Sequence, residues 1–243
     1  MFLRYVKKSL KDLSVSEWFL FVGSVLLPLI AYLAVPKKDV MTLIASVFGT
    51  VGLVFVAKGN LLGQFTNVIF AVFYGIISYF FKYYGEMITY LCMNTPMAIF
   101  AIVSWAKHPY EDKAQVTVAK LTKKTLSLTF ALTAAVTAAF FFILRALGNA
   151  NLPISTVSIF TSFLGASFVF LRTPYYGVAY AANDIVLVVL WSMASAVEIS
   201  YLPMVLCSAM FLINDVYGFV NWRKMQRNQK RPAPAPVPVK EGD

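Results

Sequence analysis

Residues 174–195 read PYYGVAYAANDIVLVVLWSMAS, an apolar run that carries one carboxylate, Asp184, about halfway along. A run of roughly 20 such residues is what an α-helix needs to cross a hydrocarbon core. Comparable runs occupy 17–35, 40–57, 61–81, 86–106, 125–147, 153–171 and 200–222, so eight membrane-spanning helices are expected. The composition agrees. Of 243 residues 59% are hydrophobic and 13% charged, with mean hydropathy +0.71, whereas soluble domains carry about a quarter charged residues. A water-soluble globule of this size could not bury so much apolar surface, and such a composition also excludes disorder. No segment alternates with period two over ten-residue blocks, which argues against a barrel, and open strands cannot lie in lipid. The fold class expected is an all-α membrane protein.

A basic arm (Arg4, Lys7, Lys8, Lys11) precedes the first span. That span is longer than the core of a signal peptide, and no small-x-small site precedes Lys37, so it reads as a retained helix. Lysines and arginines concentrate on the cytoplasmic side of membrane proteins. With the N-terminus inside, that side collects the arm, Lys58, the basic residues of 107–124, Arg172 and the tail. The other side holds only Lys37, Lys38, Lys82 and Arg145 out of 21. Both termini are therefore expected in the cytoplasm of a multi-pass plasma-membrane protein, the inner membrane if the source is bacterial. The net charge of +10 follows from this asymmetry and requires no nucleic acid, although a basic tail suits anionic lipid. The final PAPAPVPVKEGD reads as an extended, disordered tail.

The chain also carries a repeat. Asn67 and Asp184, Tyr74 and Trp191, and Trp105 and Trp222 are each separated by 117 residues. Helices 40–57, 61–81 and 86–106 thus match 153–171, 174–195 and 200–222, with 125–147 between them. An odd linking helix gives both triplets the same orientation. The expected organisation is an arm and extra helix (1–36), a first bundle (40–106), a loop and linker helix (107–147), a second bundle (153–222) and a tail (223–243). Such a 3+1+3 parallel repeat is a SWEET-like transporter layout, with a site near the midplane between the bundles.

Polar groups at membrane depth are costly and tend to face the bundle interior. The candidates are Gln64, Asn67, Asn94, Asn183, Asp184, Asn214 and Asp215. Tyr176, Tyr180, Asp184 and Trp191 recur on one helical face, and rings beside a carboxylate suit a flat cationic ligand. Amides add donors and acceptors for hydroxyl groups. Packing readings stand beside these. Tyr176 lies near a helix end and reads as an interfacial anchor. Asp184 could pair with a neighbouring helix, and Asn67 and Asn94 could be interhelical glue. Asn214 and Asp215, two turns from the end of the span, suit packing or gating as well as ligand contact. Pro96 and Pro203 read as kinks, Cys92 and Cys207 as packing residues, and His108 as an inert loop residue. No GxSxG, HExxH, CxxC or P-loop is present, so neither an enzyme nor a cofactor or metal site is expected.

From Ser46 to Met225 the chain resembles the PnuC family of vitamin transporters, whose best-known members carry nicotinamide riboside. The resemblance rests on Ala57-Lys58-Gly59, Tyr74-Gly75, Tyr84-Gly85-Glu86, Pro96 and Trp105, then Arg172, Tyr180-x-x-x-Asp184, Trp191 and Tyr217-Gly218-x-x-x-Trp222. It implies a 3+1+3 core with an optional N-terminal helix, and facilitated diffusion made unidirectional by phosphorylation of the vitamin inside the cell. It also implies a trimer. The family pattern W-x-x-W-x-x-x-(N/D) falls on Gly177, Tyr180 and Asp184, so a first ring is missing. The substrate-binding set expected is Gln64, Asn67, Asn94, Tyr180, Asn183, Asp184, Trp191 and Asp215. Related cargoes are thiamine, riboflavin and deoxynucleosides. A different class also fits the sequence: a non-transporting scaffold or sensor that recruits a partner through the basic tail.

Overall fold

The computed structural model describes residues 2–35, 40–80, 84–111, 114–149, 151–197, 199 and 202–230. Lys37, Lys38, Lys82, Lys113 and residues 231–243, used above for charge and tail, lie outside the described residues. The main elements among the described residues are helices: α1 (Phe2–Lys11), α2 (Val15–Ala34), α3 (Val40–Ala57), α4 (Leu62–Phe80), α5 (Tyr84–Ile88), a π-helical segment (Thr89–Asn94), α6 (Thr95–Ala106), α7 (Lys123–Ala146), α8 (Leu152–Phe170), α9 (Tyr176–Val197) and α10 (Leu202–Asn228). Among the described residues, eight helical spans are long and apolar enough to cross a membrane, with α5, the π segment and α6 together forming one, Gly85–Ala106. This is a multi-pass, all-helical membrane protein.

The basic arm forms the helix α1. Val6, Leu10 and Leu13, spaced i, i+4, i+7, pack against Val54, Phe55 and Leu62, while Lys7, Lys8 and Lys11 stay exposed. Ser14 and Glu17 then form a capping box that starts α2. Glu17 Oε2 also accepts from Lys58 Nζ at 2.9 Å, and Lys58 donates a second bond to the Asp12 carbonyl. Lys58 is thus buried and paired at the α3–α4 turn, where Asn60 Nδ2 also bonds Ser9 Oγ at 2.8 Å.

The same end of the bundle, called basal here, is closed by two tryptophans. Trp105 Nε1 donates to the Val169 carbonyl and Trp222 Nε1 to the Val56 carbonyl, each at 2.9 Å. Their rings lie 5.4 Å apart, and Tyr176 stands 5.0 Å from Trp222. Tyr176, expected as an interfacial anchor, is fully buried instead. The reason is that α9 begins at this tyrosine inside the basal core rather than at the lipid boundary. Below it, residues 116–119 run as a strap. Val116 N bonds Gly59 O, Ala119 N bonds Arg172 O, and Gln229, just past the end of α10, bonds both Val118 N and Val116 O.

The two expected kinks resolve differently. Pro203 is the second residue of α10, where a missing N–H costs nothing, so it starts the helix rather than bending it. Pro96 is the second residue of α6, separated from the π segment by Thr95 alone. The Thr95 N–H bonds the Tyr90 carbonyl five residues back, and Thr95 Oγ1 bonds the same oxygen at 2.8 Å. The i→i+5 bonding accommodates the donor that Pro96 lacks.

Candidate functional site

Between α3–α4–α6 and α8–α9–α10 lies a partly open cavity of about 100 Å³. Val56, Ala101 and Val169 form its floor and belong to the basal core under Trp105 and Trp222. Its polar lining is supplied by Gln64 and Asn67 on α4, Asn94 on the π segment, Ser162 on α8, Tyr180, Asn183 and Asp184 on α9, and Asp215 on α10. The structure therefore brings seven of the eight expected residues to one surface.

Local chemistry orients several of them. Asn183 Oδ1 accepts from Ser158 Oγ and Thr161 Oγ1, both at 3.0 Å, which leaves its amino group free to turn elsewhere. Ser162 Oγ reaches Asn94 Oδ1 at 3.4 Å. The Tyr180 ring is seated flat on α8 because Gly165 lies beneath it; a Cβ there would come within 2.8 Å of the ring. Asp184 and Asp215 are both 3% exposed, and their carboxyl groups are close enough to interact directly. Asp184 Oδ2 and Gln64 Nε2 are buried with no hydrogen-bond partner. A buried polar group left unsatisfied costs about 1–3 kcal/mol, and these two offer an acceptor and a donor to the cavity they line.

Trp191 is the eighth residue and does not line the cavity. It packs with Tyr74 and Leu187 in a separate cluster. It shares the helical face of Asp184, but seven residues at about 1.5 Å each carry it some 10 Å further along the axis, beyond the cavity. Asp215 sits deeper than its place in 200–222 suggested, because α10 continues to Asn228, more than three turns beyond it. Asn214, by contrast, is fully buried against α2, with Nδ2 3.3 Å from Ser24 Oγ, and serves packing. The aromatic walls Phe70, Tyr90 and Phe211 escaped the sequence reading because rings make up 16% of the chain and do not discriminate.

Gly177, where the family pattern has a ring, faces α10. A Cβ there would lie 2.5 Å from the Asp215 carbonyl oxygen and 2.9 Å from the Phe219 backbone nitrogen. No ring is missing from the cavity at this position. Gly177→Trp is therefore expected to separate α9 from α10 and abolish the monodisperse peak in size-exclusion chromatography; a variant that elutes and melts like wild type would contradict this packing.

Comparison with known proteins agrees with this architecture. The profile of the family described as nicotinamide mononucleotide transporter matches residues 39–224. The nicotinamide riboside transporter PnuC of Neisseria mucosa is 29% identical over 188 residues, covering 75% of this chain and 71% of that protein. PnuC of Haemophilus influenzae is 24% identical over 197 residues, covering 80% and 84%. The crystal structure of the vitamin B3 transporter PnuC superposes with a TM-score of 0.81 at 25% identity, covering 94% of this chain and 99% of that one. A buried polar cavity between helical bundles, reached with this sequence match over most of the chain, places the protein in the PnuC family of membrane transporters and not among enzymes.

Proposed function

We propose that this chain is a uniporter for nicotinamide riboside, carrying it by facilitated diffusion, with phosphorylation inside the cell preventing its return. The observation that carries the reading is the pair of unpartnered buried groups, Asp184 Oδ2 and Gln64 Nε2, in a cavity that also holds Asp215 and the Tyr180 ring. In this reading Asp184 balances the pyridinium charge, Tyr180 lies against the ring face, and Gln64, Asn67, Asn94 and Asn183 hydrogen-bond the ribose and the carboxamide. Among the described residues the lining contains no lysine or arginine, so a phosphate-bearing mononucleotide has nothing to neutralise it. Thiamine is the second reading, favoured by the same two carboxyl groups because it too is cationic.

Alternating exposure would follow from rocking of two parallel triplets, α3–α6 and α8–α10, about an axis along the membrane normal. The reciprocal Trp105–Val169 and Trp222–Val56 bonds support such an axis, since each triplet gives the other the same contact at the same depth. The cavity-lining pairs Gly49/Ser162, Leu53/Ala166 and Val56/Val169, each 113 residues apart where the other helices repeat at 117, support it too. α2 then stands outside the core, both termini are cytoplasmic by charge, and assembly as a trimer follows the family.

Proteoliposomes should take up labelled nicotinamide riboside without ATP, and at a rate unaltered by imposed proton or sodium gradients. Nicotinamide mononucleotide should neither move nor compete. Uptake that requires a gradient would refute uniport. Absence of uptake by demonstrably folded protein, with thiamine transported instead, would transfer the assignment to that cargo.

A further inference from the structure

Three residues of α8, Ser162, Ala166 and Val169, line the cavity. Gly165 lies on the same helical face, three residues after Ser162 and four before Val169, yet it is not part of the lining. The Tyr180 ring covers it. A Cβ on Gly165 would stand 2.8 Å from Cγ, 2.8 Å from Cδ1 and 2.9 Å from Cε1 of that ring. Three consecutive ring atoms at nearly equal distance place the Cβ over the ring face, not beyond its edge. One face of the tyrosine therefore rests on bare backbone, and the other is turned to the cavity that Tyr180 lines. The remaining lining rings are engaged with one another. Phe70 meets Tyr90 at 5.7 Å and Phe211 at 5.9 Å, both edge to face.

The first triplet offers no matching ring. In the repeat proposed above, Gly165 and Tyr180 pair with Gly52 and Gly63, 113 and 117 residues earlier. There α3 and α4 meet backbone to backbone, since a Cβ on Gly63 would lie 2.5 Å from Val56 N and 2.8 Å from Gly52 O. A flat ligand thus finds a ring at this place from one side only, and Gly165 sets how far that ring stands off α8.

We infer that Gly165 is a positioning residue that sets cargo specificity: having no side chain, it lets the Tyr180 ring lie against α8 and keeps the space before the ring open to a planar heteroaromatic cation. Carbon atoms in contact stay about 3.5–4.0 Å apart, so a methyl at 165 moves the ring about 0.7 Å or more toward the cavity. In a cavity of about 100 Å³ that space comes from the ligand. The choice of nicotinamide riboside as probe rests on the cargo reading given above; the seat of the ring does not.

The test is a double-mutant cycle on full-length protein in detergent. With Tyr180 in place, Gly165→Ala should lower the melting temperature by about 3–10 °C, because the methyl overpacks the ring. With Tyr180→Ala the same change should raise it by about 1–3 °C, because alanine is the better helix former. This reversal of sign needs no ligand. In calorimetric titration Gly165→Ala should weaken nicotinamide riboside about tenfold, and equally in a Tyr180→Phe background, which keeps the ring. With Tyr180→Leu the further loss should be less than about twofold. A lower melting temperature in both backgrounds, or an affinity unmoved by Gly165→Ala, would overturn the inference. If Gly165→Ala alone does not fold, recovery of a monodisperse protein on adding Tyr180→Ala upholds it, and continued aggregation overturns it. If wild type binds thiamine and not nicotinamide riboside, the cargo reading falls; the same tenfold loss for thiamine then upholds the role of Gly165, and an unchanged thiamine affinity overturns it.

Discussion

Asp184→Ala is expected to weaken nicotinamide riboside binding by about two to three orders of magnitude while leaving a folded, monodisperse protein. Removing the charged partner of a desolvated cation costs about 3–5 kcal/mol, and each 1.4 kcal/mol is tenfold in Kd. The fold should tolerate the change because Asp184 Oδ2 makes no hydrogen bond in the structure, and its nearest charged neighbour is another carboxyl group, Asp215. What alanine would remove is a contact between two carboxyl groups, not an ion pair. Asp184→Asn separates charge from hydrogen bonding: it should lose most affinity for the cation and little for any neutral nucleoside that binds. Calorimetric titration of purified protein reads both. Equal loss for charged and neutral ligands would mean that Asp184 shapes the site rather than balancing charge. Aggregation of both variants would return it to the packing role that the sequence left open.

The sequence disclosed those features that lipid enforces. A span must be long and apolar, so eight of them were legible to within a few residues, and a carboxylate or amide that survives at membrane depth stands out against them. That is why Gln64, Asn67, Asn94, Tyr180, Asn183, Asp184 and Asp215, drawn from four segments of the chain, meet on one cavity wall. What failed were inferences that needed distance along or around a helix. Trp191 has the right azimuth and the wrong height. Tyr176 stands at a helix end, but that end is inside the basal core. Gly177 lies one residue from the buried Tyr176, yet faces α10 where no side chain fits. α1 was hidden because a ten-residue amphipathic helix is too short for any membrane-span criterion. The π segment was hidden because its signature is a changed hydrogen-bond register, and Pro96 alone does not reveal whether a helix will kink or widen.

The basal clasp makes the second large prediction. Trp222 is fully buried, and its indole both fills the space beside Trp105 and Tyr176 and donates to Val56. Trp222→Ala should therefore cost about 3–5 kcal/mol, the usual range for emptying a large buried aromatic site, seen as a markedly lower melting temperature by circular dichroism in detergent. Trp222→Phe keeps a ring in place and loses only the donor. The Val56 carbonyl still accepts from Gly59 N at 2.8 Å, so about 0.5–1.5 kcal/mol is expected. Because the two indoles touch and each donates to a helix across the cavity from its own, Trp105→Ala with Trp222→Ala should cost clearly less than the sum of the single changes. Strict additivity would show that the two bonds act independently and that no shared clasp exists. The consequence for transport follows from the floor of the cavity, since the carbonyls held by the clasp belong to Val56 and Val169, the residues that close it. Opening toward the basal side requires these bonds to part, so Trp222→Phe, which folds but holds less tightly, should shift the balance of exposure toward that side. An introduced thiol at Ala101, on the floor, would report this as faster modification by a reagent applied to the basal face, and unchanged modification would separate the clasp from the gate.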